Sequence, residues 1–217
     1  MGDLKPMELP LGFAMDLAWD VTKFDFDKIP EYLTRYATRE FGPEHAEEIA
    51  NILLEHSHLV GFRRYDLVTP ATYSHLNYHE GDRVLARWTA LAARAKRIYE
   101  IIGAETKPAF FQLVYHPAVS GALYHAVQIG VATNYRFALE RRNSANQVAQ
   151  KVLADFEAAY DLVEEWDAML NGKWALMMSQ AVYDAIEEPK AWAAPSRDIV
   201  ANLSFVQLRQ NTQFSLV

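Results

Sequence analysis

Two histidines in the stretch YSHLNYH, His75 and His79, stand four residues apart. On a helix that interval puts two imidazoles on one face, as a zinc site requires. The stretch is broken by aromatic and small polar residues, and no acidic third ligand stands at a diagnostic offset. Two of the three protein ligands of a catalytic zinc make a thin set. Packing or surface roles are therefore expected for both, and no metal. His56 and His58 lie two apart, would point different ways on a helix, and are expected to be structural. The chain has no cysteine, which excludes disulfides, thiolate zinc sites and a cysteine nucleophile.

Carboxylates are plentiful but sit on polar faces. Glu44, Glu47 and Glu48 form a solvated helix start, where the macrodipole favours negative charge. Glu164, Glu165 and Asp167 form an exposed face late in another helix. Glycoside hydrolysis needs two carboxyl groups held across a sugar at a defined separation, and no spacing here nominates such a pair. There is no glycine-rich phosphate loop and no GxSxG elbow. Trp19, Trp88, Trp166, Trp174 and Trp192 could build a carbohydrate platform, but core packing is the preferred reading for each. Met177 and Met178 read as core rather than cofactor contacts. No catalytic residue, metal or cofactor is nominated.

The elements that would position these groups are helical. In 217 residues, 51% hydrophobic and 23% charged, there is material for one large or two small packed domains. A net charge of −7 without a basic stripe argues against a nucleic-acid partner. No apolar run approaches the ~20 residues that span a bilayer. The N-terminus, MGDLKPMELP, reads as neither signal peptide nor transit sequence, and Pro6 stands where a myristoylation site expects Ser or Thr.

Leu11–Asp20 predicts a short helix after Pro10, and Asp25 or Asp27 starts another that ends near Gly42. Pro43 then occupies the first position of a third helix, running through Ala46, Ile49, Ile52 or Leu53, His56 and Leu59 or Val60. Residues 65–79 read as an irregular, packed connection. From Glu80, the series Val84, Trp88, Leu91, Ala95, Ile98 and Ile102 alternates steps of four and three, the seam of a bundle, closed by Gly103. A long helix covers Pro108–Arg142, with a kink or break at Pro117. Asn143 or Ser144 caps the next, whose buried face is Val148, Val152, Phe156, Ala159, Val163 and Leu170. Asn171-Gly172 ends it, and GKWALMMSQAVYDAI predicts a final helix. Beyond Glu187 the pattern changes, and NLSFVQL alternates like a strand. A lone strand cannot pair with itself, so the tail is expected to lead toward a β domain. The fold class is all-α: an antiparallel bundle of five or six helices with irregular N- and C-terminal extensions.

The runs GDLKPMELP, DLAWD, REFGPEHAEEIANIL, AFFQLVYHP, NYRFALERRNSANQVAQKV, GKWALMM and APSRDIVANLSFVQLRQN closely resemble glycoside hydrolase family 115. The resemblance covers nearly the whole chain in order, and PSRD and LSFVQLRQN look most like fungal members. The family consists of xylan α-1,2-glucuronidases, which remove glucuronic or 4-O-methylglucuronic acid from xylan side chains. It implies a preceding domain, a (β/α)8-type barrel carrying an acid and a base that invert the anomeric centre, a helical bundle, and then a β-sandwich. On that pattern residues 1–22 are the end of the last barrel strand and a lead-in helix, 23–186 the bundle, and 187–217 an extension toward the sandwich.

The catalytic acid and base would then lie before residue 1, and the chain alone would be an inactive structural excerpt. Gly2, Asp3 and Lys5 would lie at the rim of the last barrel strand, with Asp3 and Lys5 the substrate-binding candidates. Lys5 could meet a uronate carboxylate as a point charge, or belong to a surface loop leading into the bundle. Glucuronoxylan would be a partner only in the full enzyme. The bundle would buttress the barrel and supply a homodimer contact, and uncovered apolar surface should make the chain self-associate. An independent carbohydrate- or protein-binding helical module is the alternative. The resemblance implies an extracellular protein, with which the Asn202-Leu203-Ser204 sequon is compatible.

Overall fold

The computed structural model describes residues 8–23, 25–63, 67–178 and 203–207. Its helices are α1 (Glu8–Trp19), α2 (Ile29–Phe41), α3 (Ala46–Phe62), α4 (Glu80–Ile101), α5 (Lys107–Phe110), α6 (His116–Leu139) and α7 (Ser144–Ala168). A π-helical segment, Phe111–Tyr115, joins α5 to α6 into one run, giving six rods among the described residues. No strand forms among the described residues, and the molecule is all-α. The chain divides into two compact units: residues 1–65, 86–122 and 162–178, and residues 66–85, 123–161 and 179–217.

The first unit is built on α2, α3 and the neighbouring parts of α4, α6 and α7. Asp25 accepts the Asp27 N–H at 3.3 Å and sets up the turn before α2, as its position predicts. Leu33, Tyr36, Ala37 and Phe41 form the buried face of α2. Gly42 closes it at φ +86°, a conformation that side-chain-bearing residues rarely adopt, and gives its N–H to Thr38. Helix α3 starts three residues later than the Gly42-Pro43 pattern implies. Pro43 opens a turn whose carbonyl accepts the Ala46 N–H at 3.4 Å, so it sits ahead of the helix rather than in its first turn.

Helices α3 and α4 run antiparallel, fixed by two rungs. Arg94 makes a two-pronged pair with Glu48 at 2.8 and 3.1 Å, and Arg87 gives both Nε and Nη2 to Glu55. Seven residues separate the rungs on each helix, two turns of the seam. They are partly exposed, so each adds register more than stability. The predicted seam of α4 is buried at Trp88, Leu91, Ala95, Ile98 and Ile102. Gly121 of α6 lies flat on the Trp88 ring, where any Cβ would overlap the indole.

Pro117 does not break its helix. It has no N–H for the Leu113 carbonyl, and its ring crowds that carbonyl. The ladder relaxes by one residue instead: the His116 N–H reaches Phe111, five back, and the π segment absorbs the fault.

The second unit is built on α6 and α7 with the 67–79 connection. Val127, Val131, Val152 and Phe156 form its core, flanked by Val148, Tyr160 and Leu203. Gly130 lies on Val152, with no room for a Cβ. The irregular connection is pinned where the Tyr124 hydroxyl donates to the Val68 carbonyl at 3.0 Å.

The face of α7 differs from expectation. Its buried residues are Ala145, Ala149, Val152, Phe156, Leu162 and Trp166, whereas Leu170 is half exposed. Residues through 161 serve one unit and those from 162 the other, so the helix carries two stripes rather than one. After Ala168, Leu170 and Asn171 adopt φ of 52° and 57°, and Leu176 adopts 67°. These left-handed residues end helical propagation, so Lys173–Met178 is a run of turns where the final helix is expected to begin, and the rest of that expected helix, 179–186, lies outside the described residues.

Candidate functional site

Helix α6 carries an asparagine in its apolar face. Asn134 is fully buried, and its carboxamide donates to the carbonyls of Ala145 and Ser204, both at 2.9 Å. Its Oδ1 accepts the Ser204 N–H at 2.8 Å. One turn into α7, Asn146 does the same for Val206, donating at 2.9 Å and accepting at 2.7 Å. A side-chain amide has the donor and acceptor pair of a peptide group, so each asparagine closes the ring that an antiparallel strand would close with one facing residue. The two partners are two residues apart, the period of an extended chain. The segment 203–207, expected to behave as an orphan strand, thus finds two asparagines in place of a neighbouring strand. Leu203 beside it packs into the valine core.

His75 and His79, noted for their four-residue spacing, do not share a helix. Residues 75–79 are bends and turns. His79 is exposed and lies 3.3 Å from Asp82. His75 packs on Gly81, with Nδ1 3.4 Å from the Thr133 hydroxyl, and its carbonyl accepts from Arg136 at 2.7 Å. Among the described residues no three His, Asp or Glu side chains are grouped to hold a metal ion, and no helix is long and apolar enough to cross a membrane. His58 is exposed, but His56 packs edge-on against Trp88 at 5.7 Å, and burial lowers its pKa to about 4. His116, between Phe111 and Trp166, is lowered to about 4 for the same reason.

Three of the carboxylates have partners of their own. Glu48 is more than a solvated helix start, because its Arg94 hydrogen bonds hold it below the usual carboxylate range. Glu165 accepts from Tyr99 at 2.7 Å, and Asp167 accepts the Leu176 N–H at 2.9 Å. A shallow depression of about 260 Å³ is lined by Pro30, Glu31, Thr34, Glu47, Ala50, Asn51 and Leu54.

Trp88 and Trp166 are core residues, and Trp174 packs against Phe111, Leu162 and Trp166 together with Met178. Trp19 corrects the expectation of burial, being 90% exposed at the end of α1. With Leu11 and Met15 it forms an i, i+4, i+8 stripe, while the helix turns Phe13 onto Tyr32. Gly2, Asp3, Lys5, Trp192 and Asn202 lie outside the described residues.

Spacing rules did not single out Asn134 or Asn146. The available signal was an asparagine, a poor helix former, at a core-facing position of an otherwise apolar helix.

Residues 1–67 match the family model described as glycosyl hydrolase family 115. No curated protein matches the chain in sequence. Among solved structures, BtGH115A, described as a novel family GH115 4-O-methyl-alpha-glucuronidase with specificity for decorated arabinogalactans, is similar over 97% of this chain with a TM-score of 0.66 at 19% identity. The chain spans 28% of the length of that relative. The family match is confined to residues 1–67, and the likeness to BtGH115A is one of fold.

Proposed function

We propose that this chain, a relative of glycosyl hydrolase family 115, forms the helical-bundle region of an α-glucuronidase-type enzyme and has a structural role rather than a complete active site. The observation that carries the reading is the family match over residues 1–67, which holds α1, α2 and α3. The fold likeness across nearly the whole chain supports extending it to the remaining helices. The paired carboxyl groups of a glycosidase stand at set distances across the sugar. Here Glu48 is tied to Arg94, Glu165 to Tyr99, and Asp167 to a backbone amide, which suits a scaffold.

In this reading the substrate is a glucuronic-acid-decorated plant polysaccharide, either glucuronoxylan, as the sequence resemblance implies, or a decorated arabinogalactan, as described for BtGH115A. Asp3 and Lys5 remain the residues proposed to reach it, Lys5 as a point charge for a uronate carboxylate. The exposed Leu11–Met15–Trp19 stripe supports self-association of the isolated chain.

A titration separates this from the alternative of an independent binding module. Glucuronoxylo-oligosaccharides are added to the chain while tryptophan fluorescence is followed, with Trp19 as the exposed reporter. A scaffold region gives no saturable response. A saturable response lost in Trp19→Ala would favour the module. Sedimentation at rising concentration is expected to show association, and a clean monomer throughout would count against the uncovered stripe.

A further inference from the structure

The asparagine pair at the α6–α7 corner has the properties of a receptor. Asn134 is held before anything docks: one of its N–H groups is spent on Ala145, the second residue of α7. Its remaining N–H and its carbonyl oxygen then point at a single residue of the segment. Asn146 offers the same two groups to the residue two further on. All four contacts go to main-chain atoms, at 2.7–2.9 Å. The only described side chain of the segment that enters the core cluster is Leu203. Such a site reads an extended backbone and one apolar side chain, the recognition mode of strand addition with two side-chain amides standing in for the sheet edge.

We propose that Asn134 and Asn146 form a binding site for an extended peptide segment, occupied in this chain by its own residues 203–207 as a releasable latch. The ligand class follows from the contacts: a short extended peptide with free N–H groups two residues apart and an aliphatic residue just before the first of them. The latch is releasable because its attachment, unlike the helices, does not run through a continuous ladder. Among the described residues four bonds and one leucine hold it, and a tethered segment competes for its own site at high effective concentration.

Proline substitution tests this without touching the site, because it deletes one backbone N–H and still suits an extended chain. Ser204→Pro and Val206→Pro each remove a donor to an asparagine. Phe205→Pro leaves both donors in place and is the control. Exchange of the Asn134 and Asn146 carboxamide protons is followed by NMR in the full chain, with circular dichroism confirming that the helices persist. The two clasp variants are expected to exchange about tenfold faster or more, the scale of one buried hydrogen bond, and Phe205→Pro to resemble the parent.

A labelled peptide of residues 200–209 is then added in trans. It should bind the Ser204→Pro/Val206→Pro chain saturably, at least about tenfold more tightly than it binds the parent, whose latch excludes it. Asn146→Ala in that background should abolish the binding. Equal exchange in all three proline variants, or a peptide that fails to bind the unlatched chain, would overturn the proposal.

Discussion

Gly121 meets the Trp88 indole so closely that no side chain fits at 121. A methyl at 121 would overlap the indole, and α6 would have to withdraw from α4 to accept it. Gly121→Ala is expected to destabilise the first unit by about 1–3 kcal/mol, the usual scale of overpacking, visible as a lower midpoint in urea unfolding. An unchanged midpoint would mean that the contact is loose. Asn134→Ala should cost about 2–3 kcal/mol by the same measurement, since it strips the partner from the Ala145 carbonyl and from both main-chain groups of Ser204. The two positions differ in legibility. Trp88 announced itself by standing in a seam of four-and-three steps. Asn134 could not, because a buried polar residue is explained by its partner, and the partner lies 70 residues away in sequence.

At the scale of elements, periodicity carried furthest where one helix faces one core. The α4 seam is such a case, and every predicted residue from Trp88 to Ile102 is buried. It failed on α7, which serves two cores, and at Pro117, where a helix can widen into a π turn rather than break. The same elements dictate a pH response. His56 lies on Trp88 and His116 on Trp166, and burial lowers both from the ordinary 6.5 to about 4. Between those values the unfolded chain binds protons that the folded one refuses, so stability is full above 6.5 and falls as pH drops toward 4. From about pH 7.5 to about pH 5 the loss should be on the order of 2 kcal/mol per histidine. The carboxylate of Glu48, held down by Arg94, adds its own loss at lower pH, below the ordinary carboxylate range. Urea titrations at the two pH values measure the slope, and His116→Leu should reduce it. A stability independent of pH across this window would show that the imidazoles are better solvated than their packing implies.

For the whole molecule, the helical class followed from composition and spacing, but the family resemblance did not. It came from strings such as GDLKPMELP and REFGPEHAEEIANIL, and the family match covers the residues that contain both. A functional reading came only by that route, because Glu48, Glu165 and Asp167 are held by Arg94, Tyr99 and a backbone amide, and His56 and His116 pack against tryptophans. The candidate substrate contacts, Asp3 and Lys5, lie outside the described residues, so their part rests on the family pattern alone. The decisive measurement is release of 4-O-methylglucuronic acid from glucuronoxylan, from short aldouronic acids and from a glucuronic-acid-decorated arabinogalactan by the purified chain. A scaffold region is expected to give no release above a buffer control on any of the three. Release that survives repurification would mean that a working site lies within these 217 residues and that the scaffold reading is wrong.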